Sequence, residues 1–185
     1  MPDIRVRRHK DILWLILDRQ PLNLLTPIML DQLAKALRDA VEHPPRLVVI
    51  TGMGEQAFCA GLDLPGETEA SRARILLAAK EVEGALDALH ARRIPSVAIV
   101  KGSAYDAGCE LAALCEVVIA REDALFRLSA AQARIFSRQQ AGQVGETLSA
   151  HEALRLDLVH QVIPRRRFLA DTEELLAVLA SGVSF

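Results

Sequence analysis

The sequence predicts one α/β domain whose strands form a largely parallel sheet. Short apolar segments alternate along the chain with longer segments in which apolar residues recur at helical spacing. Strands separated by helices are joined by right-handed crossovers, which place successive strands parallel to one another. The 185 residues contain no repeat or linker and suit a sizeable core, so we expect a single domain over residues 1–185.

The first half of the chain predicts a hairpin, and then helices on either side of a buried strand. Residues 4–6 and 12–17 are apolar or alternate around a Lys-Asp pair, which is typical of a strand hairpin. Apolar residues at helical spacing predict a helix over residues 26–41, which two prolines end. Residues 47–51 form the apolar run of a short buried strand, and residues 67–93 predict a long helix.

The second half continues this alternation in shorter segments. A basic triplet at residues 165–167 follows a proline and is expected to open the last helix on a solvated face. The predicted strands are residues 96–100, 117–120 and 158–163, and the predicted helices are residues 106–114, 149–156 and 168–180.

Composition argues against several classes of function. A net charge of −2 and 4% aromatic residues supply neither the basic face nor the stacking platforms of nucleic-acid binding. No apolar run reaches the roughly 18 residues of a membrane span, and the N-terminus does not resemble a secretory signal. The cysteines lack CxxC spacing and the histidines lack metal-ligand spacing, so we expect buried thiols, no metal and a reduced, cytoplasmic setting.

The segment VVITGMGEQAFCAGLDL (48–64) allows two interpretations of its glycines. The first two have the spacing of a dinucleotide-binding turn, which requires a helix to begin there and an acidic residue to end the next strand. The helical pattern starts only beyond Gly66 and the next strand ends in Lys101, so this interpretation is disfavoured. In the other interpretation, residues 59–63 form a bend that directs a backbone amide into a pocket.

A second segment, VKGSAYDAGCELAAL (100–114), predicts a strand, a loop of small residues and a helix that begins near Ala107. The first amides of a helix have no partner within it, and two amides that meet at one carbonyl oxygen form an oxyanion hole. The bend at residues 60–62 can supply one amide and Ala107 the other. Glu110 follows one turn later, where a carboxylate can move a proton on the carbon beside the carbonyl. Taken singly, the glutamate and the glycines also fit structural roles at a helix start and in turns.

Four segments of the chain form a pattern when taken together: LDRQPLNLLTPIMLDQL (17–33), VVITGMGEQAFCAGLDL (48–64), PSVAIVKGSAYDAGCELAALCEVVIAREDALFRL (95–128) and GETLSAHEALRLDLVHQVIP (145–164). This pattern resembles the crotonase family, the enoyl-CoA hydratase/isomerase superfamily. The resemblance covers most of the chain in family order. It implies an α/β spiral of ββα turns, a bound acyl-CoA thioester and association into trimers or hexamers. It implies no cofactor other than the coenzyme A carried by the substrate.

The resemblance also assigns roles to individual positions. It implies that the backbone amides of Leu62 and Ala107 bind the thioester oxygen. It implies that Glu110 is the first of the two acid/base glutamates that hydratases use. The residues implied to lie along the acyl-CoA are Pro21, Leu22, Leu24, Ala60, Asp63, Leu64 and Pro65.

Departures from the family pattern bear on activity. Asp106 replaces the first of three glycines. It can serve as an acid, but we expect it to cap the helix through amides two or three residues on, leaving the Ala107 amide available. A carboxylate there also opposes negative charge in the oxyanion hole. Ala130 replaces the second glutamate and cannot transfer a proton. From the resemblance we also expect a shorter stretch than usual between Phe136 and Gly145, and a C-terminal helical region that is largely absent.

We therefore expect a shortened crotonase-like enzyme that performs hydratase, isomerase or lyase chemistry through a stabilised thioester enolate, as in fatty-acid metabolism. The alternative is a degenerate, non-catalytic homologue that binds acyl-CoA or serves as an assembly subunit. Glu110 with an available Ala107 amide favours catalysis, whereas the missing second acid at Ala130 favours the alternative.

Overall fold

Two β-sheets organise the described part of the computed structural model, which comprises residues 3–63, 68–128, 135–136 and 145–182. The strands are β1 (Ile4–His9), β2 (Ile12–Leu17), β3 (Leu47–Gly52), β4 (Ala57–Cys59), β5 (Ser96–Val100), β6 (Ser103–Tyr105), β7 (Val117–Arg121), β8 (Leu125–Arg127), β9 (Thr147–Ser149) and β10 (Gln161–Ile163). The helices are α1 (Pro27–Glu42), α2 (Glu69–Ala91), α3 (Ala107–Ala113), α4 (Ala150–Arg155) and α5 (Phe168–Ala180), the last following a 3-10 turn over Arg165–Arg167.

The larger sheet confirms the predicted parallel arrangement and the N-terminal hairpin. Its strand order is β1-β2-β3-β5-β7-β10, and β1 pairs antiparallel with β2 while the other neighbours are parallel. All six residues of β3 and all five of β5 are buried. Strands that are covered on both faces have continuous apolar sequences. For this reason both strands could be predicted from the sequence.

The smaller sheet was not predicted from the sequence. Its order is β4-β6-β8-β9, and each strand has three residues. The first three follow β3, β5 and β7 directly along the chain, so each pass contributes one strand to each sheet. These repeated ββ steps, with α2 and α3 after the first two, build a spiral of ββα turns. Three residues are too few to display a strand's two-residue period in sequence.

Helix boundaries follow capping side chains. The Thr26 hydroxyl accepts a hydrogen bond from the Met29 amide at 3.0 Å, and α1 therefore begins at the next residue, as predicted within one position. Thr68 and Ser71 form a reciprocal capping box at the start of α2. Ser149 and Glu152 do the same for α4.

One predicted strand is shorter than expected. The prediction began at residue 158, but the amides of Leu158 and Val159 both donate to the Ala153 carbonyl, at 3.0 and 3.2 Å. These bonds end α4 in a turn, so β10 begins only at Gln161. An apolar pair at a helix end has the same composition as a strand start, and sequence alone does not separate the two.

A buried arginine connects successive turns of the spiral. Arg121 ends β7 and pairs with Glu55, in the loop before β4, and with Asp123. Its guanidinium also lies 6.0 Å from the Phe168 ring centre at the start of α5. The hydrogen bond from Arg121 holds the pKa of Glu55 below its usual value, although burial acts in the opposite direction. Arg165, in the exposed basic triplet, joins the same cluster through Asp123 at 2.9 Å.

Glycines allow the two sheets and α3 to approach closely. A Cβ on Gly108 would lie 2.1 Å from the Cys59 carbonyl oxygen, and one on Gly102 would lie 2.5 Å from the Gln56 carbonyl oxygen. Both distances are far inside van der Waals contact, so no other residue fits without movement of the backbone. Gly108 thus sets the distance between the first turn of α3 and strand β4.

The three cysteines are buried packing residues. Cys59 lies in β4, Cys109 in α3 and Cys115 just after α3, and none forms a disulfide. Burial raises the pKa of each thiol to about 12. Since the thiolate is the reactive form, these cysteines are poor nucleophiles.

We predict that Gly108→Ala destabilises the protein by about 3 kcal/mol or more, because the new methyl group collides with backbone. The matched control is Gly84→Ala in the exposed middle of α2, where a Cβ meets no atom within 4 Å. That control should gain about 0.5–1 kcal/mol, since alanine favours the helix. Urea unfolding of both variants measures the difference, and equal stabilities would contradict the packing described.

We also predict that the native protein does not react with a thiol-specific disulfide reagent, whereas all three thiols react after unfolding in denaturant. Spectrophotometric titration at about pH 8 counts the reacted thiols. Rapid labelling of one native thiol would contradict its burial.

Candidate active site

The bend after β4 is held by the loop that precedes α1. The Ala60 amide donates to the Leu22 carbonyl at 3.0 Å, and the Leu25 amide donates to the Gly61 carbonyl at 2.9 Å. The Asp63 amide then donates to the Leu25 carbonyl at 2.9 Å, which completes a parallel bridge. Gly61 has a φ of +121°, a conformation that a glycine adopts without strain. The bend predicted from the sequence is therefore present.

This bridge orients the Leu62 amide. The Gly61 carbonyl and the Asp63 amide both face Leu25, and successive residues of an extended segment face opposite sides. The Leu62 N–H therefore points away from Leu25, and it donates to no backbone carbonyl among the described residues.

The start of α3 supplies the second amide. Ala107 is the first residue of the helix, so its N–H has no partner in the helical ladder. It also donates to no backbone carbonyl within the described ranges. The first helical bond runs from the Glu110 amide to the Asp106 carbonyl at 3.0 Å.

The two segments meet in space. A Cβ built on Gly61 would lie 3.8 Å from both the Cβ and the Oδ2 of Asp106. Gly108 contacts the Cys59 carbonyl on the other side of the same junction. The residues directly before Leu62 and Ala107 are thus neighbours, although the sequence separates them by two strands and a helix. The role of the two amides as an oxyanion hole stays a prediction.

The expected helix cap by Asp106 is wrong. Asp106 occupies the position before α3, but its side chain makes no capping hydrogen bond. Its φ of +51° and ψ of −119° turn the side chain away from the helix amides. The carboxylate instead lies 3.6 Å from Nη2 of Arg127, at the end of β8, and is almost fully buried. The Asp106 side chain thus leaves the Ala107 amide without a cap among the described residues, and the role of that amide stays a prediction.

Glu110 lies half-buried one turn into α3 and faces a short segment that returns from later in the chain. Its Oε2 accepts hydrogen bonds from the amides of Ile135 and Phe136, at 3.2 and 3.3 Å. Both of those residues are buried. The two bonds orient the carboxylate close to the helix start. Ala130, the position of the missing second acid, lies outside the described residues.

The other residues that were predicted to contact the acyl-CoA lie in the bend after β4 or in the loop before α1. Pro21 and Leu22 are exposed, and Leu24, Ala60 and Asp63 are half-buried. All belong to the loop before α1 or to the bend that it pairs with. Leu64 and Pro65 lie outside the described residues.

Two residues of this loop were not identified from the sequence. Asn23 is fully buried, and its Nδ2 donates to the Met53 and Ala57 carbonyls at 2.9 and 2.8 Å. Arg19 is partly exposed, and its Nη2 lies 2.7 Å from Oδ2 of Asp63. The sequence contained one signal for Asn23, which is its position between two leucines. A polar residue in an apolar loop requires hydrogen-bond partners.

A groove of about 500 Å³ lies between β1 and α1, lined by side chains such as Arg8, Lys35 and His43. It holds none of the predicted site residues, and the chemistry of the amides and Glu110 favours the junction described above. Within the described residues no cluster of His, Cys, Asp and Glu could hold a metal ion. No described helix is both long and apolar enough to cross a bilayer.

Comparisons with known proteins agree with this fold. The enoyl-CoA hydratase/isomerase family model matches residues 7–184. A probable enoyl-CoA hydratase of Rhodobacter capsulatus is 33% identical over 98% of this chain and 76% of that protein. A putative enoyl-CoA hydratase/isomerase of Bacillus subtilis is 30% identical, over 74% of this chain and 59% of that protein. The chain thus spans less than two thirds of the Bacillus relative's length.

A solved structure shows the same architecture. The crystal structure of an enoyl-CoA hydratase from Mycobacterium avium subsp. paratuberculosis superposes with a TM-score of 0.80 at 28% identity. The match covers 99% of this chain and 80% of that chain. The expected crotonase-like α/β fold is thereby confirmed, and the chain belongs to the enoyl-CoA hydratase/isomerase family.

Proposed function

We propose that this protein binds an acyl-CoA thioester and reacts at the carbon beside its carbonyl through an enolate, as a hydratase, isomerase or lyase. The observation that carries the proposal is the proximity of Gly61 to Asp106, the residues directly before Leu62 and Ala107, which supports a shared site for the two amides. Family membership supports the choice of ligand class.

The two amides act on the thioester oxygen. When the neighbouring carbon loses a proton or a nucleophile adds to the double bond, negative charge moves onto that oxygen. Two N–H groups fixed by the backbone stabilise this charge without reorganising, and one such donor contributes about 10²–10³ in kcat. The Leu25 bridge and the Gly108 contact hold these donors in place.

Glu110 is the acid/base group of the proposal. In the hydration direction its carboxylate takes a proton from water as the water oxygen bonds to the β-carbon. The same proton then passes to the α-carbon of the enolate, so one carboxylate completes the addition. The amides of Ile135 and Phe136 hold its orientation. A positioned carboxylate in this role contributes about 10²–10⁴ in rate.

The acyl-CoA would extend from this junction along Leu62 and Asp63 toward the exposed loop at Pro21 and Leu22. Leu64 and Pro65 continue the proposed path, with Leu24 and Ala60 near the pantetheine. Assembly into a homotrimer or hexamer and a cytoplasmic location are further parts of the proposal.

A second candidate is a non-catalytic acyl-CoA-binding or assembly subunit. Two observations favour it. Ala130 stands where hydratases of this family have a second glutamate, and Oε2 of Glu110 already accepts two backbone amides. Turnover separates the two candidates, because the second candidate does not react with acyl-CoA even where it binds it.

We expect the wild type to bind crotonyl-CoA and to consume its enoyl absorbance, whereas Glu110→Gln binds without turnover. Glutamine retains an oxygen for the amides of Ile135 and Phe136, so local structure should survive. Turnover should fall by about 10²-fold or more. The matched control is Glu81→Gln on the exposed face of α2, which should behave like the wild type.

Calorimetric titration and absorbance give separate outcomes for this experiment. Equal turnover in wild type and Glu110→Gln would refute the role of Glu110. Binding without turnover in the wild type would select an acyl-CoA-binding subunit, and no binding would refute the proposed enzyme and favour an assembly subunit.

We further expect that an ester in place of the Asp106–Ala107 amide, introduced by replacing Ala107 with lactic acid, lowers kcat by about 10²-fold. The change removes an N–H that carries no helical hydrogen bond, and it also weakens the Asp106 carbonyl as the acceptor of the Glu110 amide. The same replacement at Ala73, on the exposed face of α2, controls for the chemistry. Unchanged kcat in the Ala107 ester would contradict an oxyanion role.

A further inference from the structure

Asp106 places a buried negative charge next to the proposed thioester site. Only 8% of the residue is exposed, and its Oδ2 lies 3.8 Å from the position of a Cβ on Gly61. Charge that develops on a thioester oxygen between the Leu62 and Ala107 amides would be repelled by this carboxylate. An uncompensated Asp106 would thus weaken the oxyanion hole beside it.

Arg127 faces this carboxylate from the neighbouring strand. Strands β6 and β8 pair in parallel with Tyr105 opposite Arg127, and the Asp106 amide donates to the Arg127 carbonyl at 2.7 Å. Paired residues of adjacent strands project to the same face of a sheet. The guanidinium accordingly lies 4.5 Å from the centre of the Tyr105 ring, a cation–π contact that fixes its position.

The pair acts by charge and not by a hydrogen bond. Nη2 of Arg127 lies 3.6 Å from Oδ2 of Asp106, which exceeds hydrogen-bond distance. Nε of Arg127 is buried and has no acceptor among the described residues. The positive charge of Arg127 therefore lies next to the Asp106 carboxylate, but the two side chains form no bidentate hydrogen bond.

We propose that Arg127 is a positioning residue of the thioester site, because it balances the Asp106 carboxylate and so allows the Leu62 and Ala107 amides to stabilise an enolate. This inference rests on the proposed function. Glu110 is the other described carboxylate of this helix start, and it faces the amides of Ile135 and Phe136. Arg127 itself exchanges no proton with the ligand.

The test uses acetoacetyl-CoA, which ionises by releasing its carbon-bound proton to the buffer and absorbs in the ultraviolet as the enolate. A pH titration of the bound ligand reports the pKa of that ionisation without any turnover. The proteins compared are the wild type, Arg127→Met, Arg127→Lys, Asp106→Asn and the double variant Asp106→Asn/Arg127→Met.

We expect Arg127→Met to raise the pKa of the bound ligand by about one unit, which is tenfold less enolate at a given pH. Asp106→Asn should lower that pKa, because the remaining arginine is no longer neutralised. The double variant should return toward the wild type, and Arg127→Lys should stay close to it. A merely structural role for Arg127 predicts no such rescue.

Each outcome decides a separate point. If no protein binds acetoacetyl-CoA, the proposed function fails and the inference fails with it. If all bind with the same ligand pKa, only the inference is overturned. A raised pKa that Asp106→Asn does not correct would also overturn it, because Arg127 would then act on the ligand directly. Should Arg127→Met not fold, Arg127→Gln, which also removes the positive charge, replaces it in the same titration.

Discussion

The close approach of α3 to β4 is the constraint on which the site depends. Gly108 has no side chain, and the Cys59 carbonyl occupies the space where a Cβ would lie. This contact brings the start of α3 against the bend after β4. The convergence that we propose for the amides of Leu62 and Ala107 depends on it. A hydrogen bond or ion pair could relax under substitution, whereas backbone against backbone leaves no such freedom.

The charges of the side chains around the start of α3 then affect how well the proposed site would stabilise negative charge on a ligand. Neighbouring turns of the spiral contribute the bend, the helix start and Arg127, so the charges that face one another come from distant parts of the chain. Asp106 adopts a backbone conformation that favours glycine, at a cost of about 1 kcal/mol or more. The same conformation turns its carboxylate toward Arg127 and leaves the Ala107 amide uncapped. The departure from the family's glycine pattern thus changes the charge beside the site while preserving its backbone donors.

Much of the fold was predictable where residues close in sequence carry the information. The helix from Pro27 and the buried strand β5 follow from apolar spacing and from capping residues, which act over a few positions. The short strands of the second sheet were missed because three residues show no period. The cap by Asp106 was wrong because capping statistics assume ordinary dihedral angles, and only the packed structure reveals a positive φ at that position.

The sequence by itself determined the class of fold, the family and the candidate residues Leu62, Ala107 and Glu110, since periodicity and motif order are local properties of a chain. Tertiary structure decided what surrounds each of them. Residues far apart in sequence form the contacts of the site. They provide the ion pair between Asp106 and Arg127, the amide hydrogen bond that Glu110 accepts and the buried hydrogen bond of Asn23. Such contacts arise from the register of strands and the clearance that a glycine provides, and neither leaves a periodic signal.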